Sequence, residues 1–171
     1  MPLSIEIALI ILVLAAAGSD LRTRRIPNWI TVPGAALGFV LQAYSGGFRG
    51  ALESLAGSGL GLAIFIALYV AGGMGAGDVK LFSAVGALTG PEALILVFVL
   101  TGLLGGIAAA ALAASRGRLR TTLERTAGLL LDLGRLRWQE VREASGAPDA
   151  LRLPYGAVIA GGTLLSLVVL H

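Results

Sequence analysis

Asp78 closes a glycine-rich break, Gly72-Gly73-Met74-Gly75-Ala76-Gly77-Asp78-Val79-Lys80, set between two apolar runs. A carboxylate between membrane-like segments is expensive unless the protein uses it. The glycines allow close backbone approach or positive φ, so Asp78 can be presented at a helix start beside water or substrate. A second aspartate, Asp20, ends the first apolar run in Gly18-Ser19-Asp20-Leu21-Arg22. Two carboxylates held close share one proton, which leaves one acid and one base to activate water. Taken singly, Asp78 reads equally as a helix N-cap and Asp20 as a juxtamembrane charge paired with a nearby arginine. Taken together, with one of them in a Gly-x-Gly-Asp break, they point to a dyad.

Other chemistries are poorly supplied. The chain has no cysteine, and its one histidine is the last residue, His171. One chain therefore cannot build a thiolate or multi-histidine metal site or a Ser-His-Asp triad, and neither metal nor cofactor is expected. Ser19, Ser83 and Thr89 are candidate nucleophiles, but the only lysine, Lys80, would have to be their base. Ser83 lies three residues after it, on the same helix face. That pair ranks below the aspartates, because interior serines usually bond back to helix carbonyls. The glycine-rich stretch lacks a preceding strand and the Gly-Lys-Ser/Thr ending of a phosphate loop, which argues against a nucleotide site. A reading from another class is a small transporter or ion-binding membrane protein with Asp78 and Asp20 as cation ligands. An internal inverted repeat would favour it, and none is visible.

The elements that must position these residues are membrane helices. Of 171 residues, 56% are hydrophobic and 13% charged, about half the charged fraction of a soluble domain. We expect an all-α polytopic membrane protein of six transmembrane helices, forming a single domain over 1–171. The first span is the run 2–18, whose basic residues follow it rather than precede it as in a cleaved signal. Ile26-Pro27-Asn28-Trp29 interrupts, with Asn28 placed to cap the second span, 30–44. A turn at Gly46-Gly47 leads to the third, 52–71. After the glycine-rich break comes a short fourth, 79–88, less than the ~30 Å hydrocarbon core requires, which must start inside the membrane or be shielded by neighbours. Thr89-Gly90-Pro91 punctuates before the fifth, 92–114, and Pro154-Tyr155-Gly156 opens the sixth. The charged stretch 115–152 is a loop in which Leu119, Leu123, Ala127, Leu130 and Leu133 fit an amphipathic surface helix.

Charge orients the spans. With the N-terminus outside, Arg49 is the only basic side chain outside, and Asp20 and Asp78 both fall at the cytoplasmic ends of their spans. Glu6, Glu53 and Glu92 fall on the opposite side as border charges. The net charge of +3 then implies anionic lipid as a partner, and no nucleic acid. Gly34 and Gly38, Gly57 and Gly61, and Gly102 and Gly106 are small-xxx-small pairs suited to helix packing.

The stretch Asp20-Leu21-Arg22-Thr23-Arg24-Arg25-Ile26-Pro27-Asn28-Trp29, then Gly75-Ala76-Gly77-Asp78-Val79-Lys80-Leu81 and late Pro154-Tyr155-Gly156, resembles the bacterial type IV prepilin leader peptidases. The likeness is closest to the short branch serving Tad/Flp-type pili, among the Gly-x-Gly-Asp intramembrane aspartyl proteases. It implies Asp20 and Asp78 as the catalytic pair, with Gly75, Gly77 and Lys80 supporting the motif. It also implies substrate or structural support from Arg22, Pro27, Asn28, Pro154, Tyr155 and Gly156. The substrate would be a prepilin or pseudopilin whose basic leader is cut at the cytoplasmic face of the bacterial inner membrane. Longer members carry a zinc-binding insert with two Cys-x-x-Cys pairs and also N-methylate the product. With no cysteine here, zinc is not expected and methyl transfer is not carried over.

Overall fold

The first helix shows why a charged residue ends up facing a bundle. In the computed structural model, which describes residues 1–70, 74–115 and 154–170, α1 (Leu3–Thr23) buries Ile5, Leu9, Leu12, Val13, Ala16 and Asp20. These positions form one helical stripe, and Asp20 continues it in register. The helix ends at Arg24, whose φ of 53° and ψ of 31° are left-handed, and whose N–H donates to the Asp20 carbonyl at 2.8 Å. That closes the last turn as a C-cap usually supplied by glycine.

Helix α2 (Asn28–Val70) has 43 residues, roughly 65 Å if it ran straight. It does not. Gly47 takes φ 60° and ψ −141°, and Gly50 comes hard against the Gln42 carbonyl, eight residues back. A straight helix would separate those two by about 12 Å, so α2 is a hairpin with arms 28–46 and 48–70. The third helix, α3 (Ala76–Ser115), is broken the same way at Gly90 (φ 75°, ψ 173°), with Pro91 next. Leu94 folds back onto Gly86, which gives arms 76–89 and 91–115. The carbonyls before this break lose their usual partners four residues on. Gln42 Nε2 donates to Leu88 O at 2.7 Å, and Thr89 Oγ1 to Val85 O at 3.0 Å. The last described helix is α4 (Tyr155–Leu170).

The short arm 76–89 is the centre of the bundle, with Val79, Leu81, Phe82, Ala84, Val85, Ala87 and Leu88 all buried. It is thus shielded by neighbours, as its length requires. Both arms of α2 lie against it at backbone distance, because Gly57 abuts Gly86 and a β-carbon on Gly38 would lie 2.9 Å from the Ala87 carbonyl carbon. Gly61 meets the Phe82 carbonyl in the same seam. Phe65 and Phe82 stack at 3.9 Å between centroids, with Phe98 edge-on to both. Among the described residues Gly102 and Gly106 do not form the contact expected of them, since none of these residues lies within 4 Å of either β position. Thr101, one residue and about 100° earlier on the helix, is the position that meets Gly162 of α4.

The described residues are all-helical, and α1, α2 and α3 are each long and apolar enough to cross a membrane. Their outward positions, among them Leu3, Ile7, Ile11, Val32, Val40 and Leu103, are exposed and apolar, as a lipid-facing surface requires. Gly72, Gly73, His171 and the stretch 116–153, with its expected amphipathic helix, lie outside the described residues.

Candidate active site

Asp78 is the third residue of α3, and Gly75 immediately precedes that helix. The Asp78 and Val79 amides donate to the Gly75 carbonyl at 3.1 and 3.4 Å, while the Gly75 N–H donates back to Asp78 Oδ2 at 3.1 Å. This is one half of a capping box, in which an acidic side chain at the third position satisfies the amide of the capping residue. Asp78 therefore serves its own helix start from inside it.

Asp20 is held by a different helix. Pro154 caps α4 by accepting from the Ala157 and Val158 amides at 3.1 and 3.3 Å. That leaves the Gly156 N–H of the first turn unused by its own helix, and it donates to Asp20 Oδ2 at 2.9 Å. A β-carbon on Gly156 would sit 2.9 Å from Asp20 Cβ and 2.9 Å from Ile26 Cδ1, so only glycine brings this amide to the carboxylate. Each aspartate thus has one oxygen bound to a backbone amide at a helix N-terminus, where the helix dipole favours negative charge.

The two aspartates line one open cleft of about 320 Å³ with Gly75, Ala76, Gly77, Arg24, Arg25, Ile26, Asn28 and Lys80. Both carboxyls open onto this cleft, and Tyr155 begins α4 next to the Gly156 that meets Asp20. Asp20 and Asp78 are 7% and 8% exposed, enough to meet water from the cleft while most of each side chain is enclosed. Among the described residues no group of three or more His, Cys, Asp or Glu stands together as a metal site would.

The segment between α1 and α2 forms one wall. Ser19 Oγ and Thr23 Oγ1 donate to the Arg25 carbonyl at 2.9 and 3.2 Å, folding the chain back on the end of α1. Asn28 is the first residue of α2, but its Oδ1 accepts from Lys80 Nζ at 2.9 Å, and the Ile30 amide goes to the Pro27 carbonyl. The expected cap is therefore a tie between α2 and α3. The same bond occupies Lys80, which is turned to Asn28 rather than to Ser83. Ser83 in turn pairs with Ser58 Oγ at 2.8 Å and with the Ser58 carbonyl at 3.1 Å. Ser19 and Thr89 are likewise bonded to backbone carbonyls. Arg22 is exposed on the last turn of α1 and stands outside the cleft lining. Pro27 and Pro154 act through their carbonyls.

Sequence reasoning missed Ile26. It is 8% exposed and lies between the two glycines that flank the site, Gly77 and Gly156. The signal was present, because Ile26 is the only apolar residue between Leu21 and Trp29 apart from Pro27, and an apolar side chain in a polar connector needs somewhere to be buried.

No curated protein and no solved structure matches the chain. A family model matches residues 7–110, a stretch that holds both aspartates and most of the two helices carrying them, and its description is the type IV leader peptidase family. A bundle of long apolar helices with a water-accessible cleft suits a protease working at a membrane, and the chain belongs to the type IV leader peptidase family.

Proposed function

We propose that this membrane protease is an aspartyl endopeptidase of the Gly-x-Gly-Asp type, with Asp20 and Asp78 as its catalytic pair. The observation that carries the reading is that two carboxylates, 58 residues apart in sequence by their numbers (78 − 20), share one cleft, and each has a single backbone amide on one oxygen. The ionised aspartate takes a proton from water as it attacks the scissile carbonyl. The protonated one donates a hydrogen bond to the developing oxyanion, and later passes a proton to the leaving amine. Gly77 lets the start of α3 approach Ile26, and Gly75 brings its amide to the Asp78 carboxylate.

The substrate is a Flp-type prepilin or pseudopilin, cut on the cytoplasmic side of the bacterial inner membrane. The arginine distribution supports that face. With the two helical hairpins counted as paired crossings, α1 to α4 make six spans in one peptidase domain, and anionic lipid meets its basic inner surface. A cation transporter is the weaker reading, because Arg24, Arg25 and Lys80 line the same cleft and oppose a cation's approach.

The test is co-expression with a Flp-type prepilin, following removal of its leader. Processing should occur with the wild type and be lost in Asp20→Asn and in Asp78→Asn at normal membrane levels. Substantial processing by either variant would sink the dyad.

A further inference from the structure

The connector between α1 and α2 touches both halves of the site. Its Arg25 carbonyl is bound by Ser19 and Thr23 of the helix that carries Asp20. Its far end, Asn28, is bound by Lys80 of the helix that carries Asp78. Between these ties Ile26 points inward. A β-carbon on Gly77 would lie 3.1 Å from Ile26 Cβ and 3.2 Å from its carbonyl oxygen, and one on Gly156 would lie 2.9 Å from Ile26 Cδ1. Gly77 adjoins Asp78 in sequence, and Gly156 supplies the amide that holds Asp20.

We infer that Ile26 is a positioning residue that sets the spacing of the two aspartates, a single side chain against which both the Asp78 helix start and the Gly156 amide are registered. This rests on the dyad reading and adds to it the group that fixes the distance. Close packing makes such a wedge effective, since interiors transmit a displacement rather than absorb it. Removing the side chain beyond Cβ takes away the contact with Gly156 while Gly77 keeps its contact with Ile26 Cβ and carbonyl, so the α4 start is free to close toward the α3 start. The coupling between the carboxyls then changes even though neither carboxyl has been altered. Ile26 lines the cleft but offers no reacting atom, so its main effect belongs in turnover and in how the pair titrates rather than in substrate affinity.

The experiment compares Ile26→Ala, Ile26→Val and a control, Val97→Ala, which removes an equally buried side chain from the second arm of α3. Each is purified in detergent and assayed on a prepilin peptide spanning the cleavage site, with kcat and KM separated and kcat followed against pH. Ile26→Ala should lower kcat at least about tenfold, leave KM within about threefold and move both limbs of the pH profile. Ile26→Val, which keeps the branched β-carbon but loses the Cδ1 that meets Gly156, should fall between the wild type and Ile26→Ala. Val97→Ala should lose thermal stability and keep its kcat and pH profile. A readout that needs no turnover is exchange of the Gly156 amide, expected to quicken at least about tenfold in Ile26→Ala and to stay unchanged in Val97→Ala. If Ile26→Ala does not fold, the same comparison is made with Ile26→Val, which should then show the pH shift in smaller measure. An Ile26 variant that behaves like Val97→Ala overturns the inference. Inert Asp20→Asn and Asp78→Asn beside a fully active Ile26→Ala would overturn it while leaving the dyad standing. Active Asn variants would overturn the dyad and the wedge together.

Discussion

The Gly156 amide and the Asp20 carboxylate meet at 2.9 Å across 136 residues of sequence, and the space between their α-carbons admits no further carbon. Gly156→Ala forces a β-carbon to within 2.9 Å of Asp20 Cβ, so α4 must shift and the hydrogen bond must lengthen. Loss of such a bond to a charged group is worth about 1.5–3 kcal/mol, which corresponds to roughly a ten- to hundredfold drop in kcat if it acts on the reacting form. Prepilin processing by the purified variant measures it, and turnover within twofold of the wild type would show that the bond is not used.

Proton sharing sets the pH dependence. At low pH both carboxyls are protonated and no base remains; at high pH both are ionised and no acid remains. The rate should therefore rise and then fall, with two apparent values that belong to the pair. Because neither limb involves a metal, strong chelation should leave cleavage intact. Ser83 is engaged with Ser58 on another helix arm, so Ser83→Ala should keep most of the turnover. Activity lost on chelation and restored by a divalent cation would make the aspartates ligands instead.

Two glycines of similar sequence context should respond differently. Gly57→Ala drives a methyl into the Gly86 backbone and should cost about 1–3 kcal/mol. Gly102→Ala meets nothing within 4 Å and should stay within about 0.5 kcal/mol of the wild type. Thermal unfolding in one detergent decides it, and equal shifts would mean the α2–α3 seam is not as close as it stands.

The arginine distribution predicts a topology that can be checked. Reporter tags after Arg25 and within 115–152 should report the cytoplasm, and one at Gly47, the reversal of α2, the opposite side. A cytoplasmic signal at Gly47 would overturn the reading of α2 as a pair of crossings.

How far these residues were legible beforehand varied with the kind of signal. Asp20 was readable twice over, as an acid at the end of an apolar run and as the next position on the stripe from Ile5 to Ala16. Gly90-Pro91 and Gly46-Gly47 announced their reversals because they lack, respectively, an amide or a Cβ where a helix needs one. Asn28 misled because capping propensity is local, whereas its partner Lys80 lies 52 residues away. The pair Gly102 and Gly106 misled because spacing shows that two small residues share a face without showing which neighbour, if any, that face meets. For Ile26 the need for burial was legible in its polar connector, but not its neighbours, Gly77 and Gly156, which come from distant parts of the chain.

The left-handed Arg24 closes α1, but the donor for Asp20 arrives much later in the chain, on α4. A nascent chain that has already delivered both aspartates to the membrane therefore still lacks the amide that holds the first of them. On the dyad reading, the site is complete only once α4 has docked.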